Sequence, residues 1–317
     1  MMKTRLSIFW GKIIFGGCCL LASGTAAWGN QVEALREGAL LKVFGDNAAN
    51  DIAITQNANG DVTVSGRNGT LINGLASARF PRMVLNAVEI DLAGGNDVVA
   101  ISNLRIANDL NVKLGDGSNR LLTGASPSAV GANVFIEGGL HSDMIRLTNW
   151  IVGGDVAIDG KFGVLDAVLT GLNVGFNLTL VGDTAADIIN VRSCTVAGTT
   201  SIEAKDGANR INVTDLLSVN LFVLTDFGND LLTLTGVAAA QDIEVFTGKG
   251  DDRVTMSSVF VGKNLRASLD EGVDSFQGSN TTVTYDAVFE GGAGIDTFKD
   301  LGISAGVKKE IKEFERF

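Results

Sequence analysis

Ten acid or amide residues recur along this chain at a near-constant interval. They are Asp97, Asn119, Asp143, Asp166, Asp187, Asn209, Asp230, Asp252, Asp274 and Asp296, with successive gaps of 22, 24, 23, 21, 22, 21, 22, 22 and 22 residues. Seven of them have a glycine two residues earlier: Gly95, Gly117, Gly207, Gly228, Gly250, Gly272 and Gly294. Asp or Asn behind a glycine turn suits two kinds of chemistry. The side-chain oxygen can accept a hydrogen bond from a nearby backbone N–H and close the turn, a role the two residues share. Alternatively, stacked carboxylates and inward carbonyls can build a hard-oxygen shell for Ca2+; Asp252, Asp274 and Asp296 are then the candidate metal ligands. Asn at 119 and 209, with no other change of pattern, favours turn closure, so no cofactor is required and calcium is the optional one. The third chemistry is acid–base. Asp155, Asp159 and Asp166, with Lys161 nearby, fall in one coil, and Asp159 and Asp166 flank one corner as the candidate catalytic pair that glycoside cleavage would need. The sequence shows no Ser-His-Asp or Cys-His set, phosphate loop or zinc spacing. His141 stands alone, and Cys194 falls within a coil as a small core or ladder residue.

The elements that must position these residues follow from their flanks. Two residues after each repeating position stands an apolar side chain, at Val99, Leu121, Ile145, Val168, Ile189, Ile211, Leu232, Val254, Phe276 and Phe298. Seven residues before come Ile90, Val112, Ile136, Leu180, Ile202, Val223, Val245, Ala267 and Phe289; thirteen before come Val84, Ile106, Val130, Val174, Val196, Leu217, Ala239, Val261 and Val283. Only the coil ending at Asp166 needs one extra residue, to bring Ile158 and Val152 into line. Three short apolar groups per 22 residues, separated by Gly, Asp and Asn, read as three strands and three corners. A unit this small cannot bury those groups alone, but stacked copies can. The fold class is therefore all-β: a single parallel β-helix of about ten coils with terminal caps, roughly 50 Å long at about 4.8 Å per coil.

The domain organisation reads as a signal peptide over residues 1–29, an N-terminal β cap over 31–80, repeats over 81–303 and a C-terminal cap over 304–317. Lys3, Arg5 and Lys12 precede the apolar run 13–21, and Ala27-Trp28-Gly29 offers a small-x-small cleavage site. Export to the periplasm, cell surface or exterior follows. The residue three before Cys18 is Phe15, which does not suit lipid anchoring there. Cys18 and Cys19 leave with the signal, so Cys194 has no disulfide partner. The mature chain has no membrane span. A formal charge of −11 argues against nucleic acid as a partner and keeps an exported protein soluble. Extracellular polysaccharide or surface proteins are the partner classes left.

"GGAGIDTF", "GKGDDRVTM" and "DFGNDLLTL" resemble the hemolysin-type calcium repeat GGxGxDxUx, although here the motif occurs once per longer coil. Over residues 40–317 the chain resembles exported parallel β-helix repeat proteins of planctomycete-type bacteria. That resemblance rests on the opening "LKVFGDNAANDIAITQ…DVTVSG", the roughly 22-residue coil, and Phe314-Glu315. It implies secretion and a β-helix, and carries no catalytic residue across. The expected function is a non-enzymatic structural, adhesive or surface-interaction rod. A polysaccharide-acting β-helix enzyme and a calcium-binding repeat protein are the alternatives.

Overall fold

The computed structural model describes residues 29–124 and 126–315; the signal-peptide reading and Cys18 lie outside them. The architecture is a parallel β-solenoid of about ten turns, roughly 22 residues apart, with no helix among the described residues. Each coil has three strands. On the first face they follow the repeating Asp or Asn, from Val98–Ser102 through Asp143–Thr148, Leu165–Thr170 and Arg253–Ser257 to the start of Thr297–Ala305. On the second face they are two residues long, from Arg105–Ile106 to Phe260–Val261. The third face runs from Leu40–Phe44 and Ala87–Asp91 to Lys308–Lys312. Strands pair in parallel with their equivalents one coil away, as Arg210–Thr214 does with Leu231–Thr235.

Alternation along each strand drives every second side chain into the axis. Val99, Leu121, Ile145, Ile189, Ile211, Leu232, Val254, Phe276 and Phe298 form one buried ladder, and Ile90 through Ile158 to Phe289 another. Cys194 is a rung of a third ladder, stacked in sequence order between Leu172 and Leu216. Between the first and second faces a single residue turns the chain at positive φ: Asn103, Asn149, Gly171, Ser193, Asp215, Gly236, Ser258 and Asn280. Asn is frequent there because its short polar side chain tolerates the left-handed region.

Three expected core positions are off by one residue. Asp143 pairs with Leu165, and Met144 with Asp166, so Leu165 takes the repeating position and Ala167, not Val168, is the core rung. This accounts for the extra residue that brought Ile158 into line. Val84 is 75% exposed and Leu85 is buried in its place. Leu217 is 52% exposed, and Ser218 is the rung that pairs with Ala239. The last slip arises because the corner before Asn220 is one residue shorter than the one before Thr199, its partner. A one-residue slip in a strand exchanges core and surface.

The ends are closed differently. At the N-terminal end, Gln31–Glu37 folds back antiparallel on Leu40–Phe44, and Asp51–Gln56, Val62–Arg67 and Ser77–Phe80 form an antiparallel meander. Asp51–Gln56 also pairs in parallel with Val98–Ser102, which joins this cap to the first face. At the C-terminal end, Phe276, Phe289 and Phe298 pack with ring centroids 4.7–5.3 Å apart, and Phe314 covers Phe298 edge-on at 5.2 Å. Aromatic pairs of this kind fill the axis and stabilise beyond their area.

Candidate functional site

The repeating Asp and Asn residues form a single column at the corner leading into the first face. Each carboxylate or amide oxygen accepts the backbone N–H of its counterpart one coil earlier. Asp97 N–H donates to Asn119 Oδ1 (2.9 Å), Asn119 to Asp143 (3.0 Å), Leu165 to Asp187 (2.8 Å) and Asp187 to Asn209 (2.9 Å). Asn209 donates to Asp230 (2.7 Å), Asp230 to Asp252 (2.8 Å), Asp252 to Asp274 (2.7 Å) and Asp274 to Asp296 (2.7 Å). Asn50 enters the column by donating to Asp97, and Glu315 closes it by accepting from Asp296 at 2.7 Å. Phe314-Glu315 thus caps both core and column. The column breaks once, at Leu165, which has no side-chain acceptor; there Asp143 N–H turns to the Val164 carbonyl.

Glycine before the column is required by close approach. A Cβ on Gly228, Gly250, Gly272 or Gly294 would strike the carbonyl of the glycine one coil earlier. From Gly207 to Gly294 this one position of the corner is a stack of backbone alone.

The Asn coils reveal what the Asp coils lack. Asn119 Nδ2 donates to the carbonyls of Gly115 and Gly117, both at 3.0 Å, and Asn209 Nδ2 to those of Lys205 (3.1 Å) and Gly207 (2.9 Å). In the Asp coils Oδ1 makes the same coil-to-coil bond, so Oδ2 stands where the amide nitrogen would. Oδ2 of Asp97, Asp187, Asp230, Asp252, Asp274 and Asp296 is buried without a hydrogen-bond partner. An acceptor aimed at carbonyls is satisfied by a proton or a cation; the Thr225 and Thr247 hydroxyls lie close enough to favour the charged forms of Asp230 and Asp252, but donate to carbonyls. Burial accordingly pushes Asp97, Asp187 and Asp274 up to about 7, and Asp143, Asp230 and Asp252 up to about 6. Neighbouring acids add to the effect: Asp252 raises Asp230, and Asp252 and Asp296 raise Asp274. A neutral aspartic acid is an isostere of asparagine and donates its O–H into the same carbonyl cradle.

That donor set suits a proton better than calcium. Each of Asp252, Asp274 and Asp296 has one oxygen committed to a backbone N–H and one unpartnered, whereas Ca2+ takes six to eight oxygens. Among the described residues no three His, Cys, Asp or Glu side chains gather at a metal-sized site.

The candidate catalytic residues lie on different faces. Asp159, on the third face, is paired with Lys161 at 2.8 Å and accepts the Lys161 N–H at 2.9 Å. Asp166, on the first face, is paired with Arg146. Each carboxylate is held by its own cation, and neither lines a cavity with the other.

Asp155 belongs to a second column that the sequence reading missed. At the corner entering the third face, Asn133 N–H donates to Asp109 Oδ1 (3.0 Å), Asp155 to Asn133 (2.9 Å), Asn177 to Asp155 (2.9 Å) and Thr199 to Asn177 (2.9 Å). The pattern resumes with Asp242 on Asn220, Asn264 on Asp242 and Asp286 on Asn264. Here the N–H points back toward the previous coil. Asp and Asn alternate, and each of Asn133, Asn177 and Asn264 also gives its amide to the Asp before it at 3.0 Å. The signal was a second 22-residue period, each member standing directly before a buried third-face rung such as Leu110, Val134, Val156, Leu178, Leu221, Ile243 and Leu265.

His141 is exposed in a corner, while Trp150, which an aromatic sugar platform would need outside, is fully buried in the core. A shallow apolar groove of about 680 Å3 lies on the second face, lined by Met83, Val84, Ile106, Val130 and Ile151 with Arg82 and Arg105 at its edge.

The fold defines the chain as a parallel β-solenoid. No protein-family model, curated protein or solved structure matches it.

Proposed function

We propose that the chain is an exported, non-enzymatic β-helix rod that works through its outer surface as a structural, adhesive or surface-interaction element. One observation carries this reading. The residue type that recurs most regularly, and that would be the first choice for catalysis or ion binding, is buried and committed to coil-to-coil hydrogen bonds. Chemistry toward partners is left to the outward rows of the three faces. Export rests on the basic, apolar and small-residue order of residues 1–29. No helix among the described residues is long and apolar enough to cross a membrane.

The reading is tested by expressing the full chain and a form lacking residues 2–29, fractionating the cells, and screening the purified protein against polysaccharides. Recovery of the full chain outside the cytoplasm, without glycan cleavage, is expected. Cytoplasmic retention of the full chain would remove the export half. Cleavage abolished by Asp159→Asn or Asp166→Asn would replace the rod with an enzyme.

A further inference from the structure

The first face changes character halfway along the rod. From Val98 to Val168 its outward side chains include Val98, Ala100, Leu122, Met144 and Val168, with Arg146 paired to Asp166. From Ile188 onward the middle row becomes Asn190, Asn212, Thr233, Thr255 and Gln277, aligned rung by rung in the strand register. Beside it runs Arg192, Thr214, Thr235, Ser257 and Ser279 in the same register. Asn212 Nδ2 bonds Asn190 Oδ1 at 3.2 Å, so the amides are already in line. Arg192, Arg210 and Arg253 are exposed on these strands, and none is in an ion pair among the described residues. No carboxylate projects from the first-face portions of these five strands. In a chain of formal charge −11 this is a local reversal of sign. The corners on either side carry acids, exposed Asp226 and Asp251 along one and Asp215 along the other.

We propose that this strip, Ile188 to Ser279 on the first face, docks a linear acidic polysaccharide lying along the rod. The proposal rests on the surface-interaction reading above and names its face and ligand class. Charge complementarity selects an anionic partner. The planar guanidinium of Arg matches carboxylate or sulfate in two-point geometry. The amide and hydroxyl rows supply donors and acceptors for sugar hydroxyls. Asp226 and Asp251 on the corner leading into the face, where Lys205 and Lys249 are paired with acids, disfavour an anionic chain that strays to that side. The same row of groups recurs at about 4.8 Å per coil. A polymer therefore meets several weak contacts in succession, and the linkage between them raises avidity without any deep pocket.

The test is direct binding of the purified protein to polygalacturonate, dextran sulfate, neutral dextran and oligothymidylate, with melting temperature recorded for every variant. Binding to at least one acidic polysaccharide is expected, weakening as salt rises, with none to neutral dextran. Preference between polygalacturonate and dextran sulfate tells carboxylate from sulfate as the group recognised. The R192A/R210A/R253A triple variant, exposed at all three sites, should lose at least tenfold in affinity with its melt unchanged. Thr233→Val with Thr255→Val, which keeps shape and removes hydroxyls, should lose less. Arg120→Ala, on the apolar half of the same face, should lose nothing. Failure to bind either acidic polysaccharide, an undiminished triple variant, or tighter binding to oligothymidylate overturns the proposal. A rod that is exported but binds none of these polymers would retain the surface reading and discard this strip.

Discussion

The two corner columns use the same residue types at the same period and solve opposite problems. The column from Asp97 to Asp296 is buried, at most 3% exposed at every Asp and Asn, and leaves six carboxylate oxygens without a partner. The column from Asp109 to Asp286 is half-buried or exposed. It alternates acid with amide, so that Asn133, Asn177 and Asn264 each donate a hydrogen bond to a neighbouring carboxylate. Water reaches most of the outer column, whose one buried unpartnered oxygen is Asp286 Oδ1, and alternation keeps carboxylates two coils apart. The inner column has neither remedy. A buried polar group without a partner is expensive, and a buried charge more so. Protonation is the route open to it, and the two Asn positions show what the protonated form looks like.

The largest expected consequence acts on the whole inner column at once. Asp97, Asp143, Asp187, Asp230, Asp252 and Asp274 are raised to about 6 or 7 in the folded chain, against about 3.9 unfolded. Between these limits the folded state holds protons that the unfolded state has released. Their stabilisation is therefore fully present below about pH 4 and is lost as pH rises through 6 to 7. Melting temperature should climb when the protein is taken from pH 8 to pH 5. Asp61 runs the other way: its pairing with Arg79 lowers it to about 2, so its contribution is present above about pH 4 and fades only as pH falls through 2. A melting temperature that is flat or falling between pH 8 and pH 5 would mean that the inner column is charged and compensated.

Next in size is removal of one inner rung. Asp230→Ala strips the acceptor from the Asn209 N–H and leaves a void in a closed corner. A loss of about 2–3 kcal/mol is expected in denaturant melts. The equivalent Asp252→Ala should match it, and Asp166→Ala, at the surface beside Leu165, should fall well short.

Much of this was legible in the sequence. The 22-residue period, three strands per coil and the inner column all follow from spacing and apolar flanks. What escaped is physically specific. Asp166, Val84 and Leu217 each fall one residue off, because counting along coils of 21 to 24 residues cannot tell at which corner a deletion or insertion falls, while a strand of period two inverts on a single slip. The outer column stands one residue before a buried apolar rung, as Asp155 does before Val156, so its period was legible; it was masked because it mixes Asp, Asn and Thr199. Burial of the inner carboxylates was beyond any spacing argument. An aspartate that closes its own turn at the surface and a buried one whose oxygen bonds the N–H of the preceding coil, as these do, have the same neighbours in sequence.

Asp→Asn substitution sharpens the contrast in the opposite direction. Asp252→Asn and Asp274→Asn supply the donor that Asn119 already uses, so each should gain about 1 kcal/mol at pH 8 and flatten the pH dependence described above. Calcium is separable here. If Ca2+ raises the wild-type melting temperature at pH 8, EDTA reverses it, and the Asn variants lose the response, the unpartnered oxygens hold an ion and not a proton. With a proton, wild type and variants ignore both reagents.

The smallest effect belongs to the outer column. Asn177→Ala removes the acceptor for Thr199 N–H and the amide donated to Asp155, but both sites are reachable by water. Water replaces lost partners at exposed positions with little net change, so a loss below about 1 kcal/mol is expected, independent of pH between 5 and 8. Asn177→Asp is the finer probe. It places a second carboxylate against Asp155 at the coil spacing and removes the amide that alternation provides, so any added loss over Asn177→Ala should shrink as salt is raised. A salt-insensitive loss as large as that of Asp230→Ala would show that the outer column is as closed to solvent as the inner one. Alternation of acid and amide would then need a cause other than charge.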